Sequence, residues 1–254
     1  MKDFLEYIFY EVKNERLSKA DAVGLIRQFQ TNSSSHKSCF LHPLLQQNIS
    51  DFSEQRFSSI FTGEEFFLAD HVVKGQRILP GVAYLEMARA AVEQAVGVIE
   101  EKHVMIRLKN VVWAQPVVVA DQPVQVHIAL YPEDTGGIAY EIYSDLEDES
   151  MPKVHSQGNA ILSTVVKVPP LNLQDLQAQC SQMMFLSDQC YEVFKAMGLE
   201  YGPGHRGIEN LYVGKGQVLA KLYLPFCISD TQKQFVLHPS LMDAALQEPM
   251  HLTA

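Results

Sequence analysis

The spacing of apolar residues changes along this chain, and each change marks an element. Phe4, Ile8 and Val12 recur at helical spacing, and Ala22, Leu25 and Ile26 do so again after Ser18, a residue type that caps helix N-termini. The pattern predicts a helical hairpin over residues 1–31, serving as a linker or docking segment, and a flexible polar linker over 32–39. Residues 57–61 and 66–69 read as strands separated by Thr62-Gly63. His71 to Ile78 reads as a strand, a tight turn at Gly75 and an extended return. Pro80 then starts a helix, because at the first helical position its missing N–H would be unpaired anyway. Leu79, ahead of it, is pushed towards extended geometry. The helix that follows is apolar on nearly every side, through Val82, Leu85, Met87, Ala88, Ala91 and Val92, as a helix enclosed by a curled sheet must be. Its charges, Glu86, Arg89 and Glu93, are expected at an exposed edge. Runs at 104–112, 124–131, 138–144 and 154–168 read as strands, with turns at 132–137 and in the acidic loop 145–150.

The second half repeats this arrangement in shorter form. Residues 169–182, with two prolines and several glutamines, read as a solvated linker that is partly helical. A helix is expected over 187–197, ended by Gly198. Residues 199–207 read as a turn. Strands at 208–213 and 218–224 flank a Lys215-Gly216 hairpin, and Pro239 heads another apolar helix. Setting Pro239 on Pro80 aligns the two Pro-headed helices. The expectation is an α+β chain built from two units, 40–168 and 183–254, each a sheet wrapped on one helix. No further strands follow the second helix before Ala254, so the second unit is expected to be incomplete.

Composition narrows the partners. The chain has 254 residues, 47% of them hydrophobic and 20% charged, with a net charge of −10. That charge argues against nucleic acid. Four scattered cysteines, Cys39, Cys180, Cys190 and Cys227, lack the spacing of a zinc site and fit reduced thiols. The first residues carry acids where a secretion signal needs an apolar run, and no apolar stretch is long enough to span a bilayer. A cytoplasmic protein with no membrane contact is expected. No metal site is expected, since no paired-His or paired-Cys spacing accompanies His71, Asp70 and Asp243.

Three motifs carry chemistry. The first is His71-x-x-x-Gly75-x-x-x-x-Pro80. The strand, turn and return bring an imidazole back beside the positive end of a helix, where free amides can hold an oxyanion. The second is Tyr201-Gly-Pro203. The third is Asp243-x-x-x-Gln247, whose spacing stacks both side chains on one helix face, so that Gln247 can orient the carboxyl group. Taken singly, each has a plain alternative: a lone surface or core histidine, an ordinary turn, a solvated carboxylate near a helix start. Asp70 reads as a solvated strand end, because strand neighbours point to opposite faces. His155, in His155-Ser-Gln-Gly158, reads as a structural histidine.

Together and in this order, the motifs resemble the dehydratase domains of modular polyketide synthases. His205, where many relatives have phenylalanine, is similar to the branch served by separate acyltransferases. The resemblance implies a double hot-dog fold and removal of water from a 3-hydroxyacyl thioester. It casts His71 as the base and Asp243 as the acid, facing one tunnel. Histidine suits the base role with its ordinary pKa of about 6.5. Asp243 needs its pKa raised from about 3.9, which walls of Leu241, Ala244 and Leu246 are expected to do by desolvation. Amides at Gly81 and Val82, shaped by Gly75 and Pro80, are implied to bind the thioester carbonyl. Tyr201 would contact the β-oxygen, and His205 would be a further polar group at the tunnel. The implied substrate rides on the phosphopantetheine arm of an acyl carrier protein, with no cofactor bound by the domain itself. Carrier proteins are acidic, so their docking patch here must be locally basic. The carrier, neighbouring synthase domains and a second copy in a homodimer are the implied partners. A double-bond-shifting isomerase of the same fold and a catalytically silent scaffold module are the alternatives.

Overall fold

The first described elements are β1 (Gln47–Asn48) and β2 (Gln55–Phe61), followed by a one-turn helix α1 (Phe66–Ala69). The hairpin β3 (His71–Val73) and β4 (Gln76–Ile78) leads into the long helix α2 (Gly81–Val96). Next come β5 (Val104–Trp113), β6 (Val118–Val119), β7 (Val124–Pro132), β8 (Ile138–Ser144) and β9 (Lys153–Thr164). A short helix α3 (Leu173–Gln179) precedes β10 (Met183–Leu186), α4 (Ser187–Ala196), β11 (Leu199–Tyr201), β12 (Ile208–Gly214), β13 (Gln217–Leu222) and α5 (Pro239–Leu246). This computed structural model describes residues 40–97, 104–134, 136–145, 151–164 and 168–247. The expected hairpin at 1–31, the linker at 32–39, most of the acidic loop and residues 248–254 lie outside the described residues.

Among the described residues, six strands form an antiparallel sheet in the order β1-β2-β7-β8-β9-β5. The helix α2 packs on it, against β5, β7, β8 and β9. Phe57, Phe61, Met87, Ile128 and Ile142 are fully buried between helix and sheet. Each such side chain stabilises the fold by about 1.5–3 kcal/mol relative to exposure. A smaller sheet, β10-β12-β13, carries a second core of Tyr191, Phe194, Ile208, Leu211 and Ala244. This is the double hot-dog arrangement that the two apolar helices led one to expect.

A third sheet joins the halves, in the order β11-β3-β4-β6. Its hairpin turns at Lys74 and Gly75, with φ of 49° and 78°. Two positive φ values in a two-residue loop match the right-handed twist of the strands, and glycine takes that conformation at no steric cost. Residues 199–201, expected as part of a turn, instead pair with β3 and put Tyr201 directly opposite His71.

Other expectations need correction. Residues 66–69 form α1 rather than a strand; a four-residue apolar run has no period to tell the two apart. Pro80 is the cap residue of α2, and the helix begins at Gly81. Glu86 and Arg89 are buried, at 0% and 8% exposure, instead of lying at an edge. Among the described residues no helix is long and apolar enough to cross a membrane.

Candidate active site

His71 stands on β3, facing the second half of the chain. Its Nδ1 lies 2.7 Å from the carbonyl oxygen of Ile78, on the return strand of the same hairpin. A carbonyl can only accept, so Nδ1 carries the proton and Nε2 keeps a free lone pair. That Nε2 lies 3.9 Å from Oδ1 of Asp243, too far for a hydrogen bond, so the lone pair is not tied up. The two side chains are brought together from different halves, at side-chain exposures of 11% and 13%.

The carboxyl group of Asp243 is oriented at its other oxygen. Gln247 donates from Nε2 to Oδ2 at 2.6 Å, as the i, i+4 spacing predicts. His205 Nδ1 donates to the same oxygen at 3.4 Å. The His205 ring is wholly buried, and its Nε2 has no hydrogen-bond partner among the described residues. Gln247 is held in turn by the Tyr191 hydroxyl, which donates to its Oε1 at 3.3 Å. Tyr201 packs beside His71, their ring centres 5.7 Å apart.

Burial lowers the pKa of His71, and the nearby Asp243 charge only partly opposes it, so the imidazole is neutral at pH 7. Asp243 departs from expectation. Burial does push its carboxyl up, but the His205 hydrogen bond, the neighbouring imidazoles and Gln247 outweigh it, and the net shift is downward. Leu246, expected as an apolar wall, is 66% exposed. The resting dyad therefore pairs a neutral imidazole with a carboxylate. Tyr201 is pushed up by burial and keeps its proton.

A cavity of about 280 Å³ opens beside His71, walled by Ile78, Gly81, Tyr84, Trp113 and Pro116; Asp243, Tyr201 and His205, expected at the same tunnel, do not line it. The first amides of α2 lack carbonyl partners within the helix, and Gly81 brings that end to the cavity. Val82 is buried, and Gly75 sits at the tip of the hairpin, away from the cavity wall. Trp113 donates from Nε1 to the Gly81 carbonyl at 2.7 Å. A bulge in β5 at Asn110, with φ of 53°, precedes it and re-aims the strand end. A larger recess, about 520 Å³, is lined by His127, Asp145, Lys153 and His155 and contains neither member of the dyad. His155 itself is buried and bonded to Ser144 and the Gln115 carbonyl, the structural role expected for it. Among the described residues no cluster of His, Cys, Asp or Glu is arranged to hold a metal ion.

Asp70 is not a solvated strand end. It is the C-cap residue of α1, ahead of β3, and its Oδ2 accepts from the Gly204 amide at 2.7 Å. Its carbonyl also accepts from the Gly202 amide at 2.9 Å. The first half thereby holds the turn that presents Tyr201 and His205. A Cβ on Gly202 would overlap the Asp70 carboxylate. Gly202→Ala is expected to cost about 1–3 kcal/mol of stability, read from urea unfolding. A variant as stable as the parent would show that Asp70 does not hold this turn. Sequence reading missed Asp70 and Trp113 as parts of the site. Asp70 precedes the histidine, and Trp113 is the single tryptophan of the chain, but neither position carries a periodic signal.

Comparison with known proteins matches the chain in two segments. Residues 42–145 match a family described as the polyketide synthase dehydratase domain, and residues 168–250 match the polyketide synthase dehydratase N-terminal domain. The chain is 48% identical over 221 residues to polyketide synthase PksM of Bacillus subtilis, covering 87% of this chain and 5% of the relative. It thus spans about a twentieth of that protein. A solved trans-AT polyketide synthase dehydratase domain from Brevibacillus brevis is 58% identical with a TM-score of 0.79, over 82% of this chain and 73% of that one. Two solved variants of the CurK dehydratase, one His to Phe and one Asp to Asn, are described as inactive. Each is 27% identical to this chain with a TM-score of 0.71, over 81% of this chain and 72% of the other.

Proposed function

The chain belongs to the dehydratase domains of trans-acyltransferase polyketide synthases, and from that premise we propose that it removes water from a 3-hydroxyacyl thioester to give an enoyl thioester. The substrate rides on the phosphopantetheine arm of an acyl carrier protein, within a cytoplasmic synthase whose neighbouring domains, and a second copy of this one, are further partners. The observation that carries the reading is the meeting of His71 and Asp243, one from each half, 3.9 Å apart.

The neutral His71 takes the α-proton at Nε2. The electron pair left on Cα passes into the thioester carbonyl, whose oxygen accepts from the free amides at the Gly81 end of α2. The imidazolium formed beside the Asp243 carboxylate is stabilised by it. Asp243 then receives that proton and delivers it to the β-hydroxyl as the C–O bond breaks, which leaves water and the double bond. One proton circulates, so the carboxyl group need not be protonated at the start. Tyr201, which keeps its proton, donates to the β-oxygen, while Gln247 and His205 hold the far side of the carboxylate.

Mass spectrometry of a carrier-bound 3-hydroxyacyl substrate tests the reaction. Loss of one water is expected, and double-bond migration without water loss, or binding without conversion, would overturn it. The proton circuit predicts a pH profile with one limb. kcat/KM rises with pH as His71 loses its proton, with a midpoint below 6.5 because burial depresses that pKa, and is then level past neutrality. A bell falling again near neutrality would show instead that a protonated Asp243 is required beforehand.

A further inference from the structure

One buried charge has no part in this chemistry. Glu86 lies on α2 with 0% exposure, in a helix whose neighbours Ala83, Met87, Ala90 and Ala91 belong to the apolar core. An unpaired carboxylate there would be prohibitively costly, so its partners say what it is for. Oε1 accepts from His42 Nε2 at 3.1 Å, from Arg89 Nη2 at 3.1 Å and from the Val236 amide at 2.9 Å. Oε2 accepts from Arg89 Nε and from the Leu237 amide, each at 2.8 Å. His42 must donate at Nε2, because its Nδ1 accepts from the Leu44 amide.

Arg89, from the first half, balances the charge, and His42, also from the first half, adds a neutral hydrogen bond. The two amides come from the second half, from an irregular segment just before His238 and Pro239. We propose that Glu86 is a positioning residue for Asp243: it grips the backbone at 236–237 and so sets where α5 begins and how its carboxylate faces His71. The inference rests on the dehydratase reading above.

The geometry supports this in three ways. Residues 236–237 lie outside the named strands, so their amides need an acceptor from elsewhere, and among the described residues the Glu86 carboxylate supplies it. Asp243 follows Leu237 after a short rigid path, about 6 Å of helix beyond Pro239. Finally, α2 carries both the Gly81 end at the His71 cavity and, about 7.5 Å further along, the grip on the Asp243 segment. One rigid helix therefore references both half-sites. Phe235 and His238 flank the gripped pair, packed against Phe66 and each other, so the segment is anchored by rings on both sides and by Glu86 at its backbone.

The test uses the full chain and three readouts: kcat and KM for water loss, the thermal midpoint, and the titration of the His71 ring followed by NMR. Glu86→Gln cannot accept from both amides and is expected to lower kcat by about 10- to 100-fold with KM within about 2-fold. Met87→Ala, a cavity in the same helix that touches neither amide, lowers the thermal midpoint as much but keeps kcat within about 2-fold. Combined with Asp243→Asn, Glu86→Gln adds no further loss, because it acts through that carboxylate. The His71 titration moves to lower pH in Glu86→Gln and in Asp243→Asn alike, as the imidazolium loses the same support. If Glu86→Gln does not fold, Glu86→Asp keeps the charge but ends a methylene short, and is read the same way. A kcat that follows the thermal midpoint as in Met87→Ala, or losses that add to those of Asp243→Asn, would overturn the inference while leaving the dehydratase reading intact. An Asp243→Asn enzyme with full activity would overturn both.

Discussion

Replacing His71 by alanine is expected to reduce water loss by on the order of 10⁴-fold while leaving the chain folded. General-base catalysis by a placed side chain contributes about 10²–10⁴-fold. The upper end applies because, among the described residues lining the cavity at the Gly81 end of α2, His71 is the one imidazole or carboxylate. Of the neighbouring groups, Tyr201 keeps its proton and His205 turns its Nδ1 to Asp243. The fold should survive the change. β3 is held by backbone pairing to β4 and β11, and the side chain borders an existing cavity, so its loss enlarges open space without undercutting the core. The lost hydrogen bond to Ile78 costs about 1 kcal/mol. Water loss from a carrier-bound 3-hydroxyacyl thioester, followed by mass spectrometry with a thermal melt alongside, checks both halves of the expectation. Activity within a few fold of the parent in a folded His71→Ala chain would remove the imidazole from the mechanism.

Asp243→Asn is the second large effect, about 10²–10³-fold in kcat. The amide has nearly the same shape and keeps an oxygen for Gln247, but it can neither stabilise the imidazolium nor carry a proton to the hydroxyl. The effect on stability has a defined sign. The folded carboxyl group has a depressed pKa, so its ionised form favours the fold. That contribution is complete above the unfolded value, near 3.8, and is lost as pH falls through the lower folded value. The asparagine variant lacks it, so its deficit against the parent is seen at neutral pH and shrinks in acid. Thermal melts across that range, with single-turnover rates at neutral pH, test the two claims separately. A variant that dehydrates at the parent's rate would show that Asp243 only lines the site.

Much of this arrangement was legible before any coordinates. The hairpin turn at Gly75, the helix headed by Pro80, the hairpin at 132–137 and the Pro239 helix follow from local rules, because turn residues and apolar period act over a few positions. The Gln247 bond to Asp243 lies within one helix turn and could be placed for the same reason. Residues 66–69 defeated the same rules because a short, fully buried run satisfies both periods. Glu86 and Asp70 were misplaced for a different reason. Each was assigned to a solvated position, Glu86 as a charge on an apolar helix and Asp70 because strand neighbours point to opposite faces, yet each serves as an acceptor for backbone amides more than a hundred positions away, and amides leave no mark in a sequence.

By itself the sequence determined most of the elements and their order, and it marked His71, Tyr201 and Asp243 as candidates, since these depend on neighbours in the chain. The tertiary structure alone decided that β11 pairs with β3, that carboxylates from the first half hold backbone from the second, and that Asp243 rests ionised. Those outcomes depend on which groups from distant positions come within a few ångströms, and on whether donors there outnumber the apolar walls. A linear pattern does not record that balance.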